Sequence, residues 1–157
     1  MSWQLIYDNG PLGAIIRYSD GTPRPPERHR RKLRAWERHN NTGRLVKKQA
    51  GGAVGETTIP ASFTLHEGDF GSKAVIVLRV FRTFSVDSAL AFSITERPSV
   101  GSILVLDRPG DAGELVHVAQ NQQAADEWLS RHGYPNAVLH EVTADEIAAD
   151  RGEGRAA

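Results

Sequence analysis

The apolar positions along this chain change period several times, and each change marks an element. Trp3 to Tyr7 and Ala14 to Tyr18 are β-prone runs on either side of Asp8-Asn9-Gly10-Pro11-Leu12-Gly13, which predicts an opening hairpin with positive-φ residues in its turn. Thr22-Pro23 then leads to Pro25 and Pro26, which can open a helix because proline at the first helical position lacks only a donor that would be unpaired there. The helix is expected to run to His39, with Asn40-Asn41-Thr42-Gly43 ending it, and a strand follows at Arg44 to Gln49. Residues 50–60, Ala-Gly-Gly-Ala-Val-Gly-Glu-Thr-Thr-Ile-Pro, have neither period and read as a Gly-rich linker or loop.

Beyond the linker the core signals strengthen. Ser62 to His66 reads as a strand. Lys73 to Phe84 holds Val75-Ile76-Val77-Leu78-Arg79-Val80-Phe81, apolar on both alternating faces, the pattern of a central strand covered on both sides. Leu90 to Thr95 and Ser102 to Leu106 read as two strands connected by Glu96 to Gly101, a length suited to a hairpin or a looser antiparallel turn. Then come a strand at Glu114 to Ala119, a helix from Asn121 to His132 and a return strand at Ala137 to Val142. In the helix, Ala124, Ala125, Trp128 and Leu129 share one face. Thr143-Ala144-Asp145-Glu146 matches the capping box of a short last helix, and residues 151–157 form a polar tail. The expected fold is α+β. It has a single mixed or antiparallel sheet of about seven or eight strands, an N-terminal basic helix and two short C-terminal helices. The expected division is a hairpin plus basic helix (1–49), the linker (50–60), an α+β core (61–150) and the tail.

Charge adds what the apolar pattern cannot show. The 157 residues have a formal net charge of zero, yet residues 1–50 carry eleven Lys or Arg against four Asp or Glu, and the remainder eight against fifteen. Seven of the basic residues fall between Arg24 and Arg38, six of them arginine. On a helical wheel Leu33 and Trp36 share one side, and Arg28, Arg31 and Arg38 project from the other with Arg34 at its edge. Guanidinium groups match phosphate or carboxylate bidentately, so Arg24, Arg28, Arg31, Arg34 and Arg38 are the expected anion-binding residues. The partner expected first is nucleic acid. An acidic protein surface, or a second copy of this chain, is the alternative. No helix-turn-helix, zinc-finger or RNA-recognition signature accompanies the helix.

Composition removes whole classes of chemistry. There is no cysteine, so disulfides, thiolate catalysis and cysteine-ligated zinc are excluded. The first residues hold no basic region and no long apolar run, and no stretch approaches a membrane span, so a soluble cytoplasmic protein is expected. His66-Glu67-Gly68-Asp69 begins the H-E-x-x-H zinc pattern, but Phe70 stands where the second histidine belongs. His117 and His140 lie on two strands flanking one helix and would form a site with Glu114 or Glu141 if those strands paired. Gly51 to Thr57 lacks the spacing and the lysine of a phosphate loop. Arg79 and Arg82, in an apolar strand, must be paired or face a cleft. No metal or cofactor is expected, and a non-enzymatic binding or accessory protein is the leading reading.

One enzyme class supplies the alternative. Ile15-Ile16-Arg17-Tyr18, Thr83-Phe84-Ser85 and Leu139-His140-Glu141 occur in an order that resembles the R-S-E type of ADP-ribosyltransferase. The resemblance implies that Arg17 holds the cofactor's phosphates, Ser85 shapes the nicotinamide pocket and Glu141 stabilises an oxocarbenium-like transition state. Thr83-Phe84-Ser85 stands in place of that family's S-T-S, and Leu139 in place of the Glu or Gln it often carries two positions before the catalytic Glu. The three residues must line one cleft for this reading to hold.

Overall fold

A computed structural model describes residues 2–72 and 75–148. The tail at 151–157, Lys73 at the head of the apolar strand and the end of the last helix at Asp150 lie outside the described residues. The chain begins with helix α1 (Trp3–Asn9), not with a strand. Trp3, Ile6 and Tyr7 recur at helical spacing and turn inward, while Gln4 and Asp8, one turn apart, hydrogen-bond at 2.9 Å on the solvent side. The β-branched and aromatic content of Trp3 to Tyr7 suggests a strand, but the burial period is that of a helix. Gly10 closes it, donating to the Ile6 carbonyl at 2.8 Å.

Two principal sheets follow. Strands β1 (Ile15–Ser19), β2 (Asn41–Gln49), β5 (Ser62–Ser72), β6 (Val75–Ser85) and β7 (Ala91–Glu96) form an antiparallel sheet in the order β6-β5-β2-β1-β7. Strands β8 (Ile103–Leu106), β9 (Leu115–Ala119) and β10 (Val138–Glu141) form a second, in the order β10-β8-β9. The expected single sheet of seven or eight strands is therefore two sheets, and the expected α+β class stands. Two particular expectations fail. The apolar strand β6 lies at an edge rather than the centre. Strands β7 and β8 do not form a hairpin, because residues 97–102 carry the chain from one sheet to the other.

The segment at 50–60 is ordered. Strands β3 (Gly52–Val54) and β4 (Thr57–Ile59) pair as a small hairpin around Gly55, whose φ of 62° suits the turn. Its side chains stand exposed, Val54 at 66%. Strands β2 and β5 on either side of this arm pair directly, so residues 1–49 and the later strands share one sheet.

The main core lies on one face of the five-stranded sheet. Ile16, Tyr18, Leu45, Phe63, Leu65, Phe84 and Phe92 meet Trp3 and Ile6 of α1 there. The Trp3 indole donates to the Phe84 carbonyl at 2.9 Å and its ring stacks on Phe63 at 5.8 Å. Phe63 meets Phe92 edge to face at 5.2 Å, the arrangement the ring quadrupole favours. The smaller sheet buries Ile103, Val105 and Ala119 beneath helix α3 (Gln122–Ser130), whose N-cap Asn121 accepts the Ala124 N–H at 2.9 Å as expected. Its other face meets β2 through Val46, Leu104 and Leu115. Gly13 sits where the two sheets approach, at φ 93°, with Pro98 Cγ only 2.9 Å from where a Cβ would stand. The last helix, α4 (144–148), carries the expected capping box: Thr143 and Glu146 exchange two 3.2 Å bonds. Among the described residues no helix is long and apolar enough to cross a membrane.

Candidate anion-binding site

Helix α2 (Arg30–Glu37) is shorter than the sequence suggests. The Pro25-Pro26 step ends in a turn, with the His29 N–H on the Pro26 carbonyl at 3.0 Å, and His29 becomes the N-cap. Arg24 and Arg28 therefore precede the helix and Arg38 caps its C-terminus, while Arg31 and Arg34 lie on it. All five are exposed. The Arg28 Nε approaches His29 Nε2 at 3.3 Å, and Arg24 meets Glu27 at 3.6 Å in an exposed pair of the kind worth at most ~1 kcal/mol. No carboxylate among the described residues lies within ion-pair distance of Arg28, Arg31, Arg34 or Arg38. The cationic rim is open to solvent.

Helix α2 is moored at its end rather than packed along its length, and none of its residues is fully buried. The Trp36 indole donates to the Thr22 carbonyl at 3.0 Å. The Asn40 amide nitrogen donates to the Trp36 carbonyl at 2.9 Å and to Asp20 at 3.0 Å, and its oxygen accepts from the Ser19 hydroxyl at 2.7 Å. Arg82 lies over the Tyr18 and Phe84 rings, 5.4 and 5.3 Å from their centroids, and donates to the Arg38 carbonyl at the helix end. This accounts for Arg82 in an apolar strand: it is paired, and it caps α2.

Asp20 holds the mooring together. Its Oδ1 accepts from the Thr22 hydroxyl at 2.6 Å and the Thr22 N–H at 2.9 Å. Those bonds and the Asn40 amide favour the charged form and lower its pKa from 3.8 to about 2. A carboxyl depressed in the folded state stabilises it fully above its unfolded value and loses that contribution as pH falls through its folded value. The mooring is thus expected to be intact above pH 3.8 and to loosen towards pH 2. Amide exchange of Thr22 and α2, followed across acid pH, checks this. Asp20→Ala is expected to show the fast exchange at neutral pH.

Between α2 and the end of β1 lies an open concavity of about 800 Å³, lined by Arg17, Arg24, Trp36, Glu37 and Asn40 among others. Arg17 projects from the face of β1 opposite the core, in register with Thr42 and Ser93, and is exposed. Arg17 and Arg24, singled out in the sequence for different reasons, thus share one surface with an indole between strand and helix. Such a surface can take an anion with a planar or extended attachment.

The other candidates separate. Arg17 and Ser85 lie three strand spacings apart across the sheet, roughly 14 Å, and their registers differ by seven positions along β2, roughly 23 Å. Glu141 sits on β10 in the other sheet, and Ser85 bonds Asp87. Among the described residues these separations leave Arg17, Ser85 and Glu141 in no common cleft, so the ADP-ribosyltransferase triad is not brought together. His117 and His140 are held apart by β8, pairing with Val105 and Leu104 on its opposite faces. His140 meets Glu146 at 2.7 Å. His66 lies against Phe81 at 5.0 Å with the rings tilted by 32°, whereas Glu67 accepts from the buried Tyr18 hydroxyl. Burial and that bond push the Tyr18 pKa up. Among the described residues no three His, Asp or Glu side chains could hold a metal.

The sequence reading missed a second cleft, between the sheets. Trp128 lies parallel to His117 at 4.7 Å, to His132 at 3.9 Å and to Tyr134 at 5.6 Å. The signal was present as Trp128 and His132 at i, i+4 with Tyr134 just beyond. Burial, then His132, lower the pKa of His117 and keep it neutral at pH 7.

Fold and surface together define a two-sheet α+β protein with an exposed arginine rim beside an open concavity. The chain belongs to the family described as Uncharacterised conserved protein UCP036055, whose model matches residues 1–146. No curated protein and no solved structure matches it.

Proposed function

We propose that this is a non-enzymatic cytoplasmic binding protein that engages an anionic partner, nucleic acid first, through Arg24, Arg28, Arg31, Arg34 and Arg38. One observation carries the reading: those five side chains stand exposed, and Arg24 among them lines a concavity together with Arg17 and Trp36. Arg28, Arg31, Arg34 and Arg38, outside the reach of a carboxylate among the described residues, can offer guanidinium N–H groups to phosphate oxygens. The short α2, moored through Trp36, Asn40 and Arg82 rather than buried, leaves that edge open along its length. Glu37 at the concavity and Glu27 beside Arg24 bias contacts towards the outer rim.

Binding of this kind releases counterions. Four to six phosphate contacts on a single strand predict that log K falls against log salt with a slope of about −3 to −4. Fluorescence anisotropy of a labelled single-stranded oligonucleotide across a salt series tests it. A flat response, or no binding at low salt, would defeat the nucleic-acid reading and leave an acidic protein surface or a second copy of this chain as the partner.

A further inference from the structure

The concavity beside α2 holds a carboxylate among its cations, and that mixture narrows what can enter it. Arg17, Arg24, Trp36, Glu37, Asn40 and Asn41 all line it. A run of phosphates suits the arginine rim, but Glu37 repels a phosphate brought into the concavity. An uncharged group that carries hydrogen-bond donors suits a carboxylate in that place.

The bonding capacity of the lining points the same way. Asn40 is fully engaged: its amide nitrogen donates to Asp20 and to the Trp36 carbonyl, and its oxygen accepts from the Ser19 hydroxyl and, at 3.2 Å, from the Asp20 N–H. Asn41 is engaged on one side. Its oxygen accepts the Thr42 N–H at 2.8 Å, and its amide nitrogen has no acceptor among the described residues. The Glu37 carboxylate is exposed, with no hydrogen-bond or ion-pair partner among the described residues. The Trp36 indole is half-buried and fixed through its N–H on the Thr22 carbonyl, and no other ring among the described residues lies against it.

We propose that the concavity takes one unstacked guanine base of a single strand whose phosphates lie on the arginine rim. This rests on the reading of that rim as a nucleic-acid surface. Guanine sets two adjacent donors, N1–H and the 2-amino group, beside the O6 acceptor on its Watson–Crick edge. A carboxylate accepts from both donors, and an amide nitrogen donates to O6. Adenine and cytosine place an acceptor next to their one amino donor, and thymine places a single N–H between two acceptors, so each turns an acceptor towards Glu37. The indole adds stacking, which tolerates any base and is worth about 1–3 kcal/mol. Arg17 and Arg24 meet the flanking phosphates. Arg24 already holds Glu27 at 3.6 Å, in an exposed pair weak enough to yield. A duplex uses the Watson–Crick edge for its own pairing, so a single strand is the form that presents it.

The test uses labelled thymidine decamers that carry one central guanine, hypoxanthine or adenine, titrated by fluorescence anisotropy against the full chain. The guanine strand is expected to bind about tenfold more tightly than the other two, because hypoxanthine lacks the 2-amino group and adenine lacks both donors. Glu37→Gln alters an exposed side chain. It is expected to raise affinity for the all-thymidine strand about twofold, by removing a like charge, and to cut the guanine preference below threefold. A carboxylate acting through charge alone would leave that preference intact. In a ¹H–¹⁵N spectrum the protein has three indole N–H signals, from Trp3, Trp36 and Trp128. The guanine strand is expected to move that of Trp36, assigned through Trp36→Phe, and to leave that of Trp3, which is bonded to Phe84 in the core. GMP alone is expected to bind at least a hundredfold more weakly than the guanine strand, since it leaves the rim unmatched. Salt-dependent binding with equal affinity for the three strands, a guanine preference unchanged in Glu37→Gln, or GMP binding as tightly as the strand would each overturn this inference and leave the arginine rim as a nucleic-acid surface. Binding of no strand at low salt would overturn both.

Discussion

Replacing Arg28, Arg31, Arg34 and Arg38 together by Glu is expected to lower oligonucleotide affinity at low salt about a thousandfold and to flatten its salt dependence. Each phosphate contact removed takes close to one unit from the salt slope, and each introduced carboxylate repels the same phosphates. A thousandfold loss is about 4 kcal/mol, or about 1 kcal/mol for each of four exposed charge pairs. The variant should remain folded. None of the four side chains is buried, and surface changes of this kind stay within about 0.5 kcal/mol each. Position along the helix matters as well: Glu ahead of the N-cap favours the helix dipole and Glu at the C-cap opposes it, so those two effects offset. Circular dichroism of the variant, set beside anisotropy titrations at several salt concentrations, measures fold and binding separately. Affinity within threefold of wild type, with the fold retained, would remove the arginine rim from the binding surface.

Phe63→Ala is expected to destabilise the protein by about 3–5 kcal/mol, the usual cost of truncating a buried phenylalanine. For a chain of this length that corresponds to a fall of about 6–20 °C in Tm. Phe63 is fully buried and in ring contact with Trp3, Phe84 and Phe92, which come from α1, β6 and β7. Two of these elements, β6 and β7, are held by sheet hydrogen bonds, so they cannot collapse into the space. The contact between Phe63 and Trp3 also ties α1 to the sheet, so the loss is expected to loosen α1 first. Thermal unfolding and amide exchange of residues 3–9 check both parts. Val54→Ala on the exposed β3-β4 arm serves as the contrast and should change Tm by less than about 2 °C. A Phe63→Ala protein that melts with wild type would mean that the core does not centre on that ring.

Elements that carry their own signal were legible in the sequence. Asn121 ahead of an amphipathic run marked the start of α3, and the Thr143-x-x-Glu146 box marked α4. Strands with mixed apolar content, such as β5, β7 and β8, lay near their expected places, but their partners did not. Pairing is decided by contacts between residues far apart in the chain. Local alternation cannot distinguish an edge strand from a central one, nor a hairpin from a crossing between sheets. Helix α1 shows the converse: β-prone residues adopt a helix because Trp3, Ile6 and Tyr7 then reach one side together.

The candidate site was legible as charge and not as shape. Arginine density between Arg24 and Arg38 is visible by reading, and the exposure of those groups follows from a short helix held at its end rather than packed along its length. The concavity is different, because Arg17 and Trp36 come together only once Asn40 and Asp20 tie the end of α2 to the end of β1. The inter-sheet cleft was hidden for the same reason. One of its walls belongs to β2, β5 and β6 and the other, aromatic, to the α3 region, and the sequence holds these walls some fifty residues apart.

The order β6-β5-β2-β1-β7 has a consequence for biosynthesis. Strand β1 ends at Ser19, yet its outer neighbour β7 begins only at Ala91, and Trp3 waits for the carbonyl of Phe84. While the chain is emerging from the ribosome, β1 and β2 can pair, but the aromatic interior stays open until residue 96 or so has left the exit tunnel. At 5–20 residues per second that leaves several seconds with Ile16, Tyr18 and Phe63 uncovered. Nascent chains stalled before β7 are the form of this protein most in need of a chaperone.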